Sequence, residues 1–417
     1  MRGSDAFDEL LDRSARALEA VGRSLDDADA FARIVLGALA EPGDGVMGRA
    51  VAQVGAVATA HALLARPDVA ALAALLPAEA TVTPKTISDA LARWMPRLDA
   101  EAILRSLAQA ARVGAALLVP GDPDWPIGVD DLGVHTPLAL WVRGRTAAIA
   151  SSAPAIALVG ARAATGYGEH VAIEASAGLV DRGFTVVSGG AYGIDGMAHR
   201  SALRSAGSTV AFLAGGIDRF YPLGHDDLLS RIVQTGAVVS EVPCGSSPTK
   251  WRFLQRNRLI AAASAATVVI EAGHRSGSLN TANHASALGR PIGAVPGPVT
   301  SPVSAGCHRL LRERDAICVV NAAQMAELAG GTGAHGALRL FDDPAGAARG
   351  GPPGPSAHPD AVRVLDALSP RSPRSVDDVA RLAGVEPARV MGVLGILEIE
   401  GRAARRPNGW VARRAAG

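Results

Sequence analysis

Short, unbroken apolar runs recur between residues 155 and 320, and segments long enough for a helix separate them. A strand that is apolar at every position is buried on both faces, which is typical of a parallel sheet covered by helices on each side. Glycine- or proline-containing turns follow several runs, so we expect ligand binding at the carboxyl edge of the sheet. The predicted fold class is α/β, an extended Rossmann-like parallel sheet with strands at 156–159, 185–187, 209–213, 237–239, 267–270, 292–295 and 317–320.

The segments on either side of this core have other patterns. Residues before about 110 are rich in Ala and Leu at helical spacing, which predicts a helical, SAM-like domain. Near the other end, an S-x-x-D capping signal at Ser375, helical periodicity and a Pro-Asn-Gly turn at 407–409 predict three helices and a two-stranded ribbon, as in a winged helix. The predicted parts are the helical domain, the Rossmann-like domain, a Gly/Pro-rich linker and the winged helix, at 1–110, 111–327, 328–358 and 359–417.

Composition narrows the class of protein. A hydrophobic fraction of 48% supports folded cores, and a net charge of +1 means that a nucleic acid would have to meet a local basic patch. Three cysteines without metal-ligand spacing indicate a reducing compartment, and they predict no metal site. The chain has no apolar signal region and no run long enough to span a membrane. We therefore expect a cytoplasmic protein without a cofactor or a membrane partner.

The stretch 185–195, Thr-Val-Val-Ser-Gly-Gly-Ala-Tyr-Gly-Ile-Asp, is the strongest local motif. Glycines allow several backbone N–H groups to converge on one anion, and a following helix adds its positive end. The stretch has neither a Walker lysine nor a complete G-x-G-x-x-G pattern. The alternative is a packed turn with a buried Tyr192. The candidate phosphate-binding residues of this turn are Ser188, Gly189, Gly190, Tyr192 and Gly193.

Three other segments are candidates for the same edge. Gly160 and Arg162 follow the first core strand, although a purely structural strand–turn–helix fits them equally well. The run 250–258 interleaves cations with aromatic residues, as single-strand binding sites do, but a charged loop is the alternative. We expect a helix to begin at its Arg-Asn-Arg end and to continue through 259–263. The candidate residues are Lys250, Arg252, Phe253, Arg256, Asn257 and Arg258, together with a second hydroxyl- and glycine-lined turn at Ser276, Gly277, Ser278 and Thr281.

Candidate acid–base residues are few. Glu241 and Glu271 follow core strands, and we expect Glu271 to fix its loop by accepting N–H bonds rather than to act in catalysis. Asp195 and His199 are four residues apart on one helical face, where a structural hydrogen bond is favoured over a catalytic pair. No catalytic residue is assigned.

These motifs together resemble the DprA/Smf family of bacterial DNA-processing proteins. The resemblance extends through about residues 110–320 and rests on Gly160-Ala-Arg162, 188–195 with Ala198-His199, Tyr221-Pro222, Ser240-Glu241, Arg256-Asn-Arg258, Glu271-Ala272, Ser276-Gly-Ser278 and Pro296-Gly297. The chain departs from the family pattern at Leu223-Gly224-His225, at Phe253-Leu254 and at Gly306-Cys307-His308.

The resemblance implies a protein that is not an enzyme. It implies that the Rossmann-like domain binds single-stranded DNA in a basic pocket and forms a homodimer. It also implies that the protein protects incoming DNA and loads the RecA recombinase onto it during natural transformation. By motif match, Arg162, Arg256 and Arg258 would be the cations of the pocket.

Two other functions compete with this one. A Rossmann-like nucleotide-binding enzyme of the phosphoribohydrolase type would need a catalytic carboxylate after the second glycine turn, but the helix there reads Ala-Asn-His-Ala. A transcription regulator would read duplex DNA through the winged helix, in which Arg402, Arg405, Arg406, Arg413 and Arg414 decorate the wing. Its third helix carries Arg389 as its only cation, which argues against that function.

Overall fold

The computed structural model describes residues 3–76, 82–150, 154–334 and 359–413. They divide into two units, one up to Ala329 and one from Gly330 onward. The first unit begins with seven helices, four of which start at an Asp whose carboxylate accepts a backbone N–H of the first turn. These helices are α1 Gly3–Ala20, α2 Ala28–Leu39, α3 Gly45–Val54, α4 Ala56–Leu64, α5 Val69–Ala73, α6 Pro84–Trp94 and α7 Ala100–Arg112.

A nine-stranded sheet follows, in the order β1-β2-β6-β5-β4-β3-β7-β8-β9. The strands from β6 to β9 in that order are all parallel, and β1 and β2 add an antiparallel edge. The strands are β1 Ala116–Leu118, β2 Leu140–Gly144, β3 Ala155–Val159, β4 Thr185–Ser188, β5 Thr209–Leu213, β6 Ala237–Ser240, β7 Ala266–Val269, β8 Ile292–Ala294 and β9 Ile317–Cys318. The chain crosses from one side of β3 to the other between β6 and β7, so the topological switch point lies between β3 and β7.

Helices cover both faces of the sheet. One buried cluster joins β3, β4 and β7 to α8, α9 and α14, and a second joins the opposite faces of these strands and of β5 to α11, α12 and α13. The helices are α8 Gly166–Val180, α9 Ile194–Arg204, α10 Asp226–Thr235, α11 Lys250–Ala262, α12 Ser278–Ala287, α13 Ala305–Glu313 and α14 Ala322–Ala334. The predicted fold class is therefore confirmed. In the described ranges, no helix is long and apolar enough to cross a membrane.

The structure differs from the predicted elements at three places. Helix α11 begins at Lys250 rather than at Arg256-Asn-Arg258, because Thr249 caps it and its charged residues lie inside the helix. Strand β1, which the sequence analysis missed, is only three residues long and pairs with β2. Helix α14 continues to Ala334, past the predicted start of the linker at 328, and residues 335–358 lie outside the described residues.

The second unit contains three helices and a hairpin, as predicted. They are α15 Pro359–Asp366, α16 Val376–Ala383, α17 Pro387–Ile399, β10 Ala403–Arg406 and β11 Gly409–Ala412. The Ser375 hydroxyl accepts the N–H of Asp378 at 3.1 Å, which confirms the predicted cap. Val364, Leu394 and Trp410 are buried in the core of this unit.

A buried ion triad joins the amino-terminal helices to the sheet. The carboxylate of Glu41, in the α2–α3 loop, accepts hydrogen bonds from Arg252 of α11 at 2.9 and 3.0 Å and also pairs with Arg97. Burial alone would raise the pKa of Glu41, but the two arginines outweigh burial and hold this pKa well below its usual 4.5. The Glu41 carboxylate thus links the amino-terminal helices to α11, which packs on the sheet, through buried ion pairs.

We expect Glu41→Gln to lower the free energy of unfolding at neutral pH by about 3 kcal/mol, because it leaves two buried guanidinium groups without their anion. Since the folded-state pKa is depressed, the wild-type advantage is complete above about pH 4.5 and shrinks as the pH falls below that value. Urea unfolding followed by tryptophan fluorescence measures the difference.

The matched control is Glu101→Gln, which breaks the exposed ion pair with Arg13 and should leave the free energy of unfolding almost unchanged, because solvent screens this pair. Equal stability of the Glu41→Gln variant and the wild type at neutral pH would contradict the stabilising role of the triad.

Candidate nucleic-acid interface

The loops that leave β3, β4 and β7 meet at the switch point. The Ala161 N–H donates to the carbonyl of Glu271 at 2.7 Å, and the Ile194 N–H donates to the carbonyl of Ala161 at 3.2 Å. Gly193 has φ +74°, and a Cβ there would collide with the carbonyl oxygen of Ala161. This close approach explains the glycine, since other residues rarely adopt a positive φ.

The glycine turn after β4 encloses a carboxylate of its own chain. Asp195 is buried, and its side chain accepts the backbone N–H of Ala191 at 3.4 Å. Burial raises the pKa of Asp195, and the positive charge of Arg256 opposes that shift. The Ala191 N–H of this turn thus has an internal acceptor, and the expected convergence of the turn's N–H groups on an external phosphate stays a prediction.

Two further candidate residues of this turn differ in exposure, since Ser188 is buried and Tyr192 is exposed. Ser188 is fully buried, and its hydroxyl donates to the carbonyl of Leu158 at 2.6 Å instead of facing a ligand. Tyr192 is 48% exposed, so the alternative of a buried tyrosine is wrong. Its ring packs edge-on against His225, whose Nδ1 donates to the carbonyl of Gly190 at 2.9 Å. His225, one of the departures from the family pattern, therefore fixes the turn.

Arg256 of α11 also bonds to the glycine turn. Its side chain is only 6% exposed and donates from Nη1 to the carbonyls of Gly189, at 2.6 Å, and Phe212. Burial lowers the pKa of Arg256 to about 10, against the opposing attraction of Asp195, so the guanidinium remains charged at neutral pH. Arg256 and Asp195 therefore fix the glycine turn through separate bonds, Arg256 through the carbonyl of Gly189 and Asp195 through the N–H of Ala191.

Because α11 is helical, its other polar residues point in different directions around the helix axis. Asn257 donates to the carbonyl of Gly277 and to the Asn280 amide oxygen, both at 3.2 Å, and thereby fixes the second glycine turn. Arg258 donates to both carboxylate oxygens of Glu241 at 2.6 Å. With Arg252 bound to Glu41, the three arginines of the run all have internal partners. Their predicted contact with DNA stays a prediction.

The side chains that do reach solvent form an aromatic platform, which we define as Arg162, Tyr221 and Phe253. The Arg162 guanidinium lies 4.6 Å from the centre of the Phe253 ring, and the Tyr221 ring lies 5.8 Å from the same ring. Arg162 is exposed and forms no ion pair or hydrogen bond within the described ranges. Sequence reasoning did not include Tyr221 in the site, although its Tyr-Pro motif was a usable signal.

The second turn, after β7, is also largely satisfied internally. The hydroxyls of Ser276 and Ser278 bond each other at 2.7 Å, and Thr281 is buried, whereas Gly277 is exposed. The Glu271 carboxylate accepts the backbone N–H of Thr165 at 2.9 Å and the Thr165 hydroxyl at 2.5 Å. The prediction that Glu271 fixes a loop is confirmed.

The remaining acid–base candidates have structural contacts as well. Buried His199 bonds the Thr209 hydroxyl through Nδ1 at 2.8 Å, in agreement with the structural bond favoured from the sequence, although its partner is Thr209 rather than Asp195. Burial lowers the pKa of His199 to about 3, so the ring is neutral. Across the residues that the structure describes, no cluster of three His, Cys, Asp or Glu side chains could hold a metal ion.

This arrangement of turns and helices has counterparts in known proteins. The family model for DNA recombination-mediator protein A matches residues 116–330, and the DprA winged helix model matches residues 348–409. The chain belongs to the DNA recombination-mediator protein A family. The sheet with all of its carboxyl-edge loops lies inside the first match, so the platform is part of the family domain.

Relatives and a solved structure extend the comparison. A putative DNA processing protein DprA from Mycobacterium tuberculosis is 46% identical over 319 residues, which cover 73% of this chain and 78% of that protein. Protein Smf from Escherichia coli is 41% identical over 178 residues, 42% of this chain and 47% of that protein. The X-ray structure of DNA processing protein A from Streptococcus pneumoniae superposes with a TM-score of 0.55 at 25% identity, and covers 71% of this chain and 95% of that one.

Replacing a glycine by alanine should change the stability of the protein differently in the two glycine turns. A Cβ at Gly189 would collide with the buried guanidinium of Arg256, whereas a Cβ at Gly277 meets nothing within 4 Å. We expect Gly189→Ala to lower the free energy of unfolding by about 1–3 kcal/mol. The matched Gly277→Ala variant should stay within about 0.5 kcal/mol of the wild type. Urea unfolding tests both, and equal effects would contradict the packing of Arg256 against Gly189.

Proposed function

We propose that this DNA-processing protein binds single-stranded DNA on the aromatic platform. The observation that carries the proposal is Arg162, an exposed cation whose guanidinium lies 4.6 Å from the centre of the Phe253 ring and has no acceptor within the described residues. A guanidinium in this position can bind a phosphate while the neighbouring rings stack on bases. Tyr221 and Tyr192 supply exposed rings, and Lys250 is exposed at the start of α11.

The platform favours a single strand over a duplex for a physical reason. In a duplex, each base is stacked on its neighbours and paired, so an aromatic ring reaches its face only after unstacking. In a single strand the faces are available, and stacking on an aromatic side chain stabilises each base by about 1–3 kcal/mol. A net charge of +1 supplies little general attraction, so recognition depends on this local patch.

The role we propose is not catalytic. Glu271 is bound to Thr165, Glu241 to Arg258, and Asp195 lies beneath the glycine turn. A general acid or base must reach the reacting group directly or through one water molecule. These three carboxylates are instead occupied by internal donors, which favours a binding protein over the phosphoribohydrolase-type enzyme.

We expect Arg162→Ala and Phe253→Ala each to weaken binding of an oligodeoxythymidylate, the first through a lost phosphate contact and the second through lost stacking. Each should lower the affinity about fivefold or more. Only Arg162→Ala should reduce the slope of log affinity against log salt, by about 0.7, since it removes one phosphate contact. Fluorescence anisotropy over a salt series measures both quantities.

The matched control is Arg231→Ala, which removes an exposed arginine from α10. This variant should bind like the wild type. Unchanged affinity in both platform variants, or a wild-type slope of zero, would contradict the proposal.

We further propose that the protein protects the bound strand and loads RecA onto it during natural transformation. The support is the family description, which names a recombination mediator. If the protein holds the strand by its bases, the sugar-phosphate backbone stays accessible. A recombinase could then bind that backbone. The Arg162→Ala variant should therefore also lose acceleration of RecA assembly on an oligonucleotide, while Arg231→Ala keeps it.

We also propose a homodimer formed through the sheet domain. Strand β9 is the edge strand beyond β8, and both of its residues are exposed, with Ile317 at 55%. Val320, next to it in the chain, is exposed as well. An apolar sheet edge that faces solvent is a typical site for pairing with another chain.

We expect Ile317→Lys to convert the dimer to a monomer, because a lysine on an edge strand opposes pairing. Sedimentation velocity measures the change. The control is Ile399→Lys, which alters an exposed isoleucine in the other unit. A monomeric wild type, or a variant that stays dimeric, would contradict the proposal.

A further inference from the structure

Tyr167, which the site described above does not use, is an exposed ring held in a fixed position. It lies in the first turn of α8 and is 43% exposed. Its hydroxyl donates to the carbonyl of Pro296 at 2.6 Å, which anchors the polar end of the side chain while the ring remains open to solvent. Burial and the negative charge of Glu271 raise the pKa of Tyr167, so the hydroxyl stays protonated and remains a donor.

The loop after β8 keeps the ring accessible. A Cβ at Gly297 would collide with the hydroxyl of Ser304, so the residue beside the ring carries no side chain. His308, another departure from the family pattern, bonds the Gly297 carbonyl through Nε2 at 2.9 Å and fixes this loop. Val299 in the same loop is almost fully exposed. The Tyr167 ring on α8 and Val299 on the loop after β8 are thus both exposed to solvent.

The sheet topology places Tyr167 in line with the aromatic platform. Arg162 follows β3, and Pro296, the anchor of Tyr167, follows β8. These strands are separated only by β7, so their carboxyl ends are two strand spacings apart, about 10 Å. A distance of this size is spanned by a short stretch of extended single strand.

A cation lies between the two positions. The loop after β7, the strand that separates β3 from β8, carries Arg275 and His274, and both are exposed. In the described part of the chain, Arg275 forms no ion pair or hydrogen bond, unlike the buried arginines of α11. Along the carboxyl edge, the aromatic platform with Arg162 therefore follows β3, Arg275 follows β7, and the Tyr167 ring is anchored to the loop after β8.

We propose that Tyr167 is a second base-stacking position on the same single strand, and that Arg275 contacts a phosphate between it and the platform. The inference rests on the proposed binding of single-stranded DNA. It adds that the bound strand runs along the sheet edge from the loop after β3 to the loop after β8. It predicts that a strand long enough to cross β7 binds more tightly than one that covers the platform alone.

The test compares oligodeoxythymidylates of about four and about twelve nucleotides. We expect Tyr167→Ala to leave affinity for the shorter oligonucleotide unchanged and to lower affinity for the longer one about fivefold. Tyr167→Phe keeps the ring and should retain most of the affinity for the longer oligonucleotide. Arg275→Ala should reduce the salt slope only with the longer oligonucleotide, by about 0.7.

A second measurement uses the unaltered protein. A longer oligonucleotide with 5-iododeoxyuridine at one end should photocross-link to Tyr167, and placement at the other end should shift the cross-link to Phe253 or Tyr221. Equal binding of the longer oligonucleotide by Tyr167→Ala and wild type, together with no cross-link to Tyr167, would overturn the inference. In that case an effect of Phe253→Ala would still support the platform, whereas loss of that effect would remove the proposed function itself.

Discussion

The buried guanidinium of Arg256 is the group on which the glycine turn at the carboxyl edge of the sheet depends. Arg256 donates to the carbonyls of Gly189 and Phe212, and the side chain of Asp195 accepts the N–H of Ala191 in the same turn. Arg256 and Asp195 carry opposite charges, and each opposes the pKa shift that burial causes in the other. These bonds hold the turn without a ligand, and the Ile194 N–H joins the turn to the loop after β3 through the carbonyl of Ala161.

These internal bonds determine which groups of the edge remain exposed to solvent. Helix α11 uses Arg252, Arg256 and Arg258 on carboxylates and carbonyls of the same chain. Its Phe253 is left on the outer side, where Arg162 from the β3 loop covers it. The exposed groups are mainly aromatic rings, so in the proposed complex with single-stranded DNA we expect stacking to contribute a larger part of the affinity than phosphate neutralisation. A surface of this kind distinguishes a single strand from a duplex by the availability of base faces.

The sequence predicted the sheet well because its strands are apolar at every position, and such runs have few other structural solutions. It also predicted the family, while the binding of a ligand at the carboxyl edge stays a prediction. It did not predict that α11 begins at Lys250, because a run of cations between aromatic residues has no apolar periodicity. The sequence also could not predict which carboxylates pair with the arginines of α11. Glu41 lies 211 residues from Arg252 in the chain, and no local pattern links them. A glycine turn that encloses Asp195 and one that binds phosphate have the same local sequence features.

The most direct test is a crystal structure of the protein with a bound oligodeoxythymidylate. The account predicts a base stacked on Phe253, a phosphate on Arg162, and intact hydrogen bonds from Ala191 to Asp195 and from Arg256 to Gly189. A phosphate seated on the N–H groups of the glycine turn, with Asp195 displaced and Phe253 uncovered, would contradict it.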